Sequence, residues 1–246
     1  MNDEFRRNKK IYSMTKKFWI CGYHTVLAAI QNKNRIVHRV AILEKFINDP
    51  QIHFKKNIEK IKFFEKLFGK QFAHQGIAAE IEELQLPKLE TEVSNKNFDK
   101  ILILDGITDP RNIGSICRSA LAFNFKNILI NEKEINTTSY EMYKASSGSI
   151  ENLKIFKVSN IKNGINILKK NNFWVYGLDS KANKEMKELK LPEKIAYVFG
   201  SEGFGIKTIV KKYCDDFIKI EIQNIESLNV SNAVSALLAL HNYHQN

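Results

Sequence analysis

From Phe98 to the C-terminus, short runs of almost unbroken apolar residues alternate with stretches of helical periodicity. The apolar runs are Ile101–Asp105, Asn127–Ile130, Lys154–Val158, Phe173–Leu178, Ala196–Phe199 and Phe217–Ile222. A strand with one wet face alternates apolar and polar residues, whereas a strand covered on both faces does not. Helical patterns over Ile113–Phe123, Ile161–Lys170 and Ile206–Tyr213 lie between several of the runs. Residues 228–244 place Ala233, Leu237, Leu240, His241 and His244 at helical spacing, predicting a long last helix. This alternation predicts an α/β fold with a mainly parallel sheet and helices on both faces.

Three polar clusters follow apolar runs. They are Asp109–Ala120 (DPRNIGSICRSA), Gly200–Gly205 (GSEGFG) and Ser227–Ser231 (SLNVS). A strand that feeds a polar turn into a helix puts those side chains at the carboxyl edge of the sheet, where α/β proteins bind ligands. Three such edges predict one composite site. Asn112, Arg118, Glu202, Ser227 and Asn229 are its polar members. Pro110 suits the first turn of a helix, and Asp109 and Asn229 equally suit plain helix caps.

The chain ahead of Phe98 reads differently. Residues 1–17 are polar and basic and predict a mobile arm. Residues 18–84 predict a small α/β unit. It has a helix after Gly22-Tyr23-His24-Thr25, a strand over Val37–Leu43, an amphipathic helix through Ile58, Ile61, Phe64, Leu67 and Phe68, and a last strand after His74-Gln75-Gly76. Residues 85–97 are polar, contain Pro87 and predict a linker. The domains expected are therefore 18–84 and 98–246.

Charge bears on the partner. Lys and Arg number 38 against 27 Asp and Glu, a formal net charge of +11, and residues 1–84 carry most of the excess. A basic surface suits a polyanion, most simply nucleic acid, although solubility or a lysine-rich proteome would produce the same balance. No apolar run approaches the ~18 residues that span a bilayer, so a cytoplasmic protein without a membrane partner is expected. Cys21, Cys117 and Cys214 lack metal-ligand spacing and disulfide pairing signals. Cys117 reads as packing, and no metal is expected.

The glycines of Gly200–Thr208 superficially resemble a phosphate loop. That loop needs Gly directly before Lys-Ser/Thr, and here Ile206 intervenes. Glu202 would also sit among phosphates, against the electrostatics. With no histidine in the polar set, hydrolase and metal chemistry are disfavoured.

The ordered clusters resemble the three signatures of the SpoU family, the ribose 2′-O-methyltransferases of rRNA and tRNA in the SPOUT class. The matching residues are Asp109-Pro110-x-Asn112-x-Gly114-x-x-x-Arg118-x-Ala120, Phe199-Gly200-x-Glu202-x-x-Gly205 and Ser227-Leu228-Asn229-Val230-Ser231. The similarity covers about residues 98–246. Gly22-x-His24-x-Val26 and His74-Gln75-Gly76-Ile77 resemble the substrate-binding module of bacterial 23S rRNA guanosine methyltransferases, a module similar to ribosomal protein L30e. Two positions depart from the pattern: Ile220-Glu221-Ile222 stands where Ile-Pro-Met is usual, and Asn232 replaces a small apolar residue.

The resemblance implies a homodimer, a trefoil-knotted C-terminal domain and S-adenosyl-L-methionine as cofactor, held by Gly200, Ile220 and Leu228. It assigns Asn112, Arg118, Glu202, Ser227 and Asn229 to catalysis and substrate handling, and implies methylation of a ribose 2′-hydroxyl in RNA. Arg118 is expected to anchor phosphate and stabilise the developing alkoxide, with Asn112 orienting it or the ribose. The N-terminal module favours rRNA, with a guanosine of 23S rRNA foremost. A tRNA 2′-O-methyltransferase of the same family and a catalytically silent RNA-binding or ribosome-assembly protein remain the alternatives.

Overall fold

The computed structural model describes residues 16–52, 58–61, 64 and 74–245. The chain divides into two units, Met1–Gln85 and Leu86–Asn246. Among the described residues no helix is long and apolar enough to cross a membrane.

In the first unit, strand β1 (Lys17–Cys21) leads through Gly22 into helix α1 (Tyr23–Gln31). Strands β2 (Val37–Ile42), β3 (Ile58–Lys60) and β4 (Ile77–Glu82) complete a sheet of order β1-β4-β2-β3. β4 runs antiparallel to both β1 and β2, whereas β3 is parallel to β2. Ile20, Val26, Ala29, Val40, Ile77 and Ile81 are buried and form its core. The two sequence signatures of this unit meet: the Gly22 N–H donates to the Ile77 carbonyl at 3.2 Å, and the Tyr23 N–H donates to Gln75 Oε1 at 3.0 Å.

Ile58 departs from the expected helix, because Ile58–Lys60 pairs with Val40–Ile42 as a strand. Most of the remaining helical expectation, and most of the expected arm, lies outside the described residues.

The second unit opens with helix α2 (Leu89–Glu92), inside the segment expected to be a linker. Leu89 and Val93 are buried in the core with Phe98, Phe156 and Ile165, so this segment is packed structure. Four residues of helix are too few for periodicity to show.

The strands that follow are β5 (Lys100–Asp105), β6 (Asn127–Asn131), β7 (Lys154–Val158), β8 (Trp174–Leu178), β9 (Lys184–Glu185), β10 (Ile195–Gly200) and β11 (Asp216–Lys219). They form one sheet of order β7-β6-β5-β10-β8-β11-β9, with every pairing parallel. Its helices are α3 (Pro110–Ala122), α4 (Tyr140–Ser146), α5 (Ile161–Lys170), α6 (Thr208–Lys211) and α7 (Val230–Gln245).

Alternate residues of each strand face opposite ways. Ile101, Ile103, Ala196 and Val198 join the core that includes Ile161, Ile165 and Leu168 of α5. Leu102, Leu104, Tyr197 and Phe199 are equally buried, so both faces of the sheet are covered. On that second face the Tyr197 hydroxyl lies 2.9 Å from Nδ1 of His241 on α7.

Some elements differ from expectation. The last strand stops at Lys219, leaving Ile220–Ile222 in a loop. α6 is a single turn, shorter than Ile206–Tyr213. α4 was not foreseen: it is short and polar, capped by Ser139 and pressed against α3. A Cβ at Gly114 would sit 2.3 Å from the Met142 carbonyl oxygen, so only glycine lets the two helices approach this closely.

Candidate active site

The polar residues of the first cluster are set by the start of α3. Asp109 caps the helix, its Oδ1 accepting from the Arg111 N–H at 2.8 Å, and Pro110 opens the first turn. Asn112 therefore stands on that turn. Asn229 plays the same part for α7, its Oδ1 accepting from the Ser231 N–H at 2.9 Å and from Ser231 Oγ at 2.6 Å. Glu202 is placed by the Gly200–Gly205 turn after β10.

A Cβ at Gly200 would fall 1.9 Å from the carbonyl carbon of Gly205 and 2.1 Å from the Ile206 nitrogen. The chain folds back directly over Gly200, and Gly205 completes the turn at φ +66°. Its N–H donates to the Ser201 carbonyl at 2.8 Å.

These placements bring three distant segments together. Asn112 Nδ2 donates to Glu202 Oε1 at 2.9 Å, and Asn229 Nδ2 donates to the same oxygen at 2.5 Å and to Asn112 Oδ1 at 3.1 Å. The Val230 N–H adds a donor to Glu202 Oε1 at 3.3 Å. One carboxylate oxygen thus ties α3, the loop after β10 and the start of α7. Glu202 Oε2 has no hydrogen-bond partner among the described residues, which leaves it open to a donor from outside.

Behind this set lies a cleft of about 380 Å³ at the carboxyl ends of β8 and β10, within the range of small-ligand sites. Gly200, Glu202, Ile220, Ser227 and Leu228 all line it, as do Leu178 and Asp179. Ile220 reaches it because β11 has already ended. The apolar lining would take a flat base, and the carboxylates would take hydroxyl or ammonium donors.

Arg118 lies apart from the hydrogen-bonded set. It is exposed on α3 and makes no hydrogen bond or ion pair among the described residues. Asn112 bonds Glu202 and Asn229 and makes no hydrogen bond to Arg118 among the described residues; a role toward the ribose, the other part expected for it, needs the substrate. Cys117 is fully buried beside it, and burial pushes its thiol up to about 12, which keeps it a packing residue. Among the described residues no group of three His, Cys, Asp or Glu side chains could hold a metal.

A second polar network supports the site and was not visible in the sequence. Asp105, 1% exposed at the end of β5, accepts the Lys207 N–H on Oδ2 at 2.7 Å. Lys207 Nζ stands 3.5 Å from Asp105 Oδ1 and is bound by Glu134. Glu134 Oε2 accepts the Gly106 N–H at 3.0 Å. Asp105 also pairs with Gly200 in the sheet, so the loop bearing Glu202 is held at both ends by one residue. Burial raises the carboxyl of Asp105 above its ordinary range, against the pull of Lys207. Charged residues so far apart announce no such pairing in the sequence, apart from an Asp that ends an apolar run before a glycine.

Known proteins share this pattern. The family model of the SpoU rRNA methylases matches residues 99–239. A Staphylococcus aureus protein named as a TrmH family tRNA/rRNA methyltransferase is 31% identical over 230 residues, 89% of this chain and 93% of that protein. The SpoU methyltransferase AviRb of Streptomyces viridochromogenes, solved with S-adenosylmethionine, superposes with a TM-score of 0.79 at 18% identity, covering 100% of this chain and 98% of that one. A Sinorhizobium meliloti rRNA methyltransferase solved with the same cofactor has a TM-score of 0.78 at 16% identity, covering 99% and 92%. The fold and the family model coincide with the three segments that close on Glu202, and the chain belongs to the SpoU rRNA methylase family.

Proposed function

We propose that the protein is an S-adenosylmethionine-dependent methyltransferase acting on a ribose 2′-hydroxyl of RNA, with a guanosine of 23S rRNA as its target. The observation that carries this reading is the closure of Asn112, Glu202 and Asn229 at a cleft lined by Gly200, Ile220 and Leu228. The lining fits the cofactor. Leu178, Ile220 and Leu228 suit the adenine, the Gly200 turn presents backbone, and Asp179 supplies an acceptor. When bound, the cofactor supplies a methyl group on a sulfonium centre.

The chain's own residues then have distinct tasks. A ribose hydroxyl attacks poorly unless it is held in line, and positioning of this kind lowers a barrier by roughly 7–11 kcal/mol in the best cases. Glu202, fixed through Oε1, offers Oε2 to a donor on the substrate. Asn112 and Asn229 hold that carboxylate still, and Ser227 completes the wall. Arg118 carries a forked guanidinium that makes no hydrogen bond or ion pair among the described residues, suited to an RNA phosphate and to charge developing on the ribose oxygen.

The N-terminal unit, as an L30e-like module, supplies RNA affinity. The C-terminal unit reads as trefoil-knotted and as the contact surface of a homodimer. The likeness of the fold to solved SpoU and rRNA methyltransferases supports that reading.

The test is methyl transfer from labelled S-adenosylmethionine to unmodified 23S rRNA and to tRNA. A ribose 2′-O-methyl guanosine in 23S rRNA is expected. Transfer to tRNA alone would replace the target, and cofactor binding without transfer to either would favour a silent RNA-binding protein.

A further inference from the structure

Phe204 is 95% exposed, the most exposed of the large apolar side chains among the described residues. It stands at the tip of the turn that carries Glu202 and lines the same cleft as Gly200, Ile220 and Leu228. Nothing in the fold calls for a ring there. A Cβ at either neighbour, Gly203 or Gly205, would meet no atom within 4 Å, so the tip has open space around it. The stem, in contrast, is fastened. Gly200 lies beneath the backbone of Gly205 and Ile206, Ser201 bridges Gly205, and the Lys207 N–H is held by Asp105.

A fixed stem that holds a bare phenyl ring in water leaves apolar surface unburied for no gain in folding. A single exposed apolar side chain is common on protein surfaces; what sets Phe204 apart is that a fastened turn holds its ring at the mouth of the cleft that Glu202 lines.

We propose that Phe204 is a stacking platform for a nucleobase of the RNA strand that enters the cleft. This rests on the methyltransferase reading above and adds a substrate subsite to it. Sequence-specific RNA recognition mostly targets single-stranded loops, bulges and ends, and a ribose presented from such a segment comes with exposed base faces. Proteins that take single-stranded or splayed RNA receive those faces on aromatic side chains. A phenyl ring has no hydrogen-bonding group, so the subsite tolerates any base and serves to hold the strand. Lys181, exposed on the same cleft, supplies positive charge for the backbone alongside. The cofactor fits the concave part between Leu178 and Leu228, and a ring almost wholly in solvent stands outside it.

The test uses the full-length protein with saturating S-adenosylmethionine and an rRNA fragment that the wild type methylates. Phe204→Ala is expected to raise the KM for RNA by about 5- to 150-fold, the factor for one base–aromatic stack, with kcat falling less than KM rises. Phe204→Trp should restore the wild-type KM, and Phe204→Leu, similar in bulk but without a π face, should not. The dissociation constant for S-adenosylmethionine should stay within about twofold in all three.

An unchanged KM in Phe204→Ala, or equal rescue by Leu and Trp, overturns the proposal. So does a loss of cofactor affinity or of self-association in place of the KM effect. A wild-type protein that methylates no RNA would instead refute the methyltransferase reading itself, before any variant is compared.

Discussion

Glu202 and Asn229, 27 positions apart in the chain, meet at 2.5 Å, and the same Glu202 oxygen holds Asn112 from 90 positions away. Asn229 also caps α7 through its other side-chain atom, so one amide serves the fold and the site together. The two tasks are separable. Asn229→Ala should cost about 1 kcal/mol of stability, the worth of a helix cap, and reduce kcat. Asn229→Ser keeps a capping hydroxyl but is too short to reach Glu202. Its melting temperature should match the wild type while kcat falls about 100-fold, the scale of a small misplacement in a site. Calorimetry beside a transfer assay reads both.

Gly200 tests the turn. Gly200→Ala puts a methyl into the backbone of Gly205 and Ile206, which cannot yield as a side chain would. A loss of about 1–3 kcal/mol in urea denaturation is expected, as for other overpacked sites. S-adenosylmethionine binding should weaken as well, since the displaced loop lines the cleft. Unaltered affinity would show that the turn does not shape the cofactor site.

His241 makes stability depend on pH. It is fully buried, its Nε2 has no hydrogen-bond partner among the described residues, and burial pushes its imidazole down to about 4. Below its ordinary value near 6.5 the unfolded chain takes up a proton that the folded chain refuses. The stabilising contribution is therefore present above about pH 6.5 and is lost as pH falls through about 4. The slope approaches about 1.4 kcal/mol per pH unit inside that window. His241→Phe should flatten the pH profile there, measured as the difference between variant and wild type in urea midpoints from pH 4 to 7.

Much of this fold was legible because its strands are buried on both faces. The observed bounds of Lys154–Val158 and Ile161–Lys170 coincide with the sequence pattern, the first as a short β-rich segment between Asn152-Leu153 and Ser159-Asn160, the second as a full amphipathic period. The failures lie where tertiary packing overrides local pattern. Ile58 suits a helical stripe but completes a sheet edge beside Val40. Leu89 and Val93 look like isolated apolar residues in a polar segment until Phe98 and Ile165 surround them.

The site divides the same way. Asn112, Glu202 and Asn229 could be named because each sits at a turn between recognisable elements. Their mutual bonding, and the separation of Arg118 from it, depend on how α3 and α7 pack. The Asp105–Lys207–Glu134 network left almost no trace, since charge pairing across 102 and 73 positions has no local signature.

The account rests on an RNA ribose being methylated at this cleft with Arg118 facing the strand. Full-length wild type and Arg118→Ala should be given tritium-labelled S-adenosylmethionine and unmodified 23S rRNA, and the product mapped for 2′-O-methyl groups. The account predicts one modified ribose with the wild type and none with Arg118→Ala, whose cofactor affinity and melting temperature stay near those of the wild type because the exposed guanidinium has no hydrogen-bond or ion-pair partner among the described residues. Near-normal turnover by Arg118→Ala, or a methyl group on a base in place of a ribose, would contradict it.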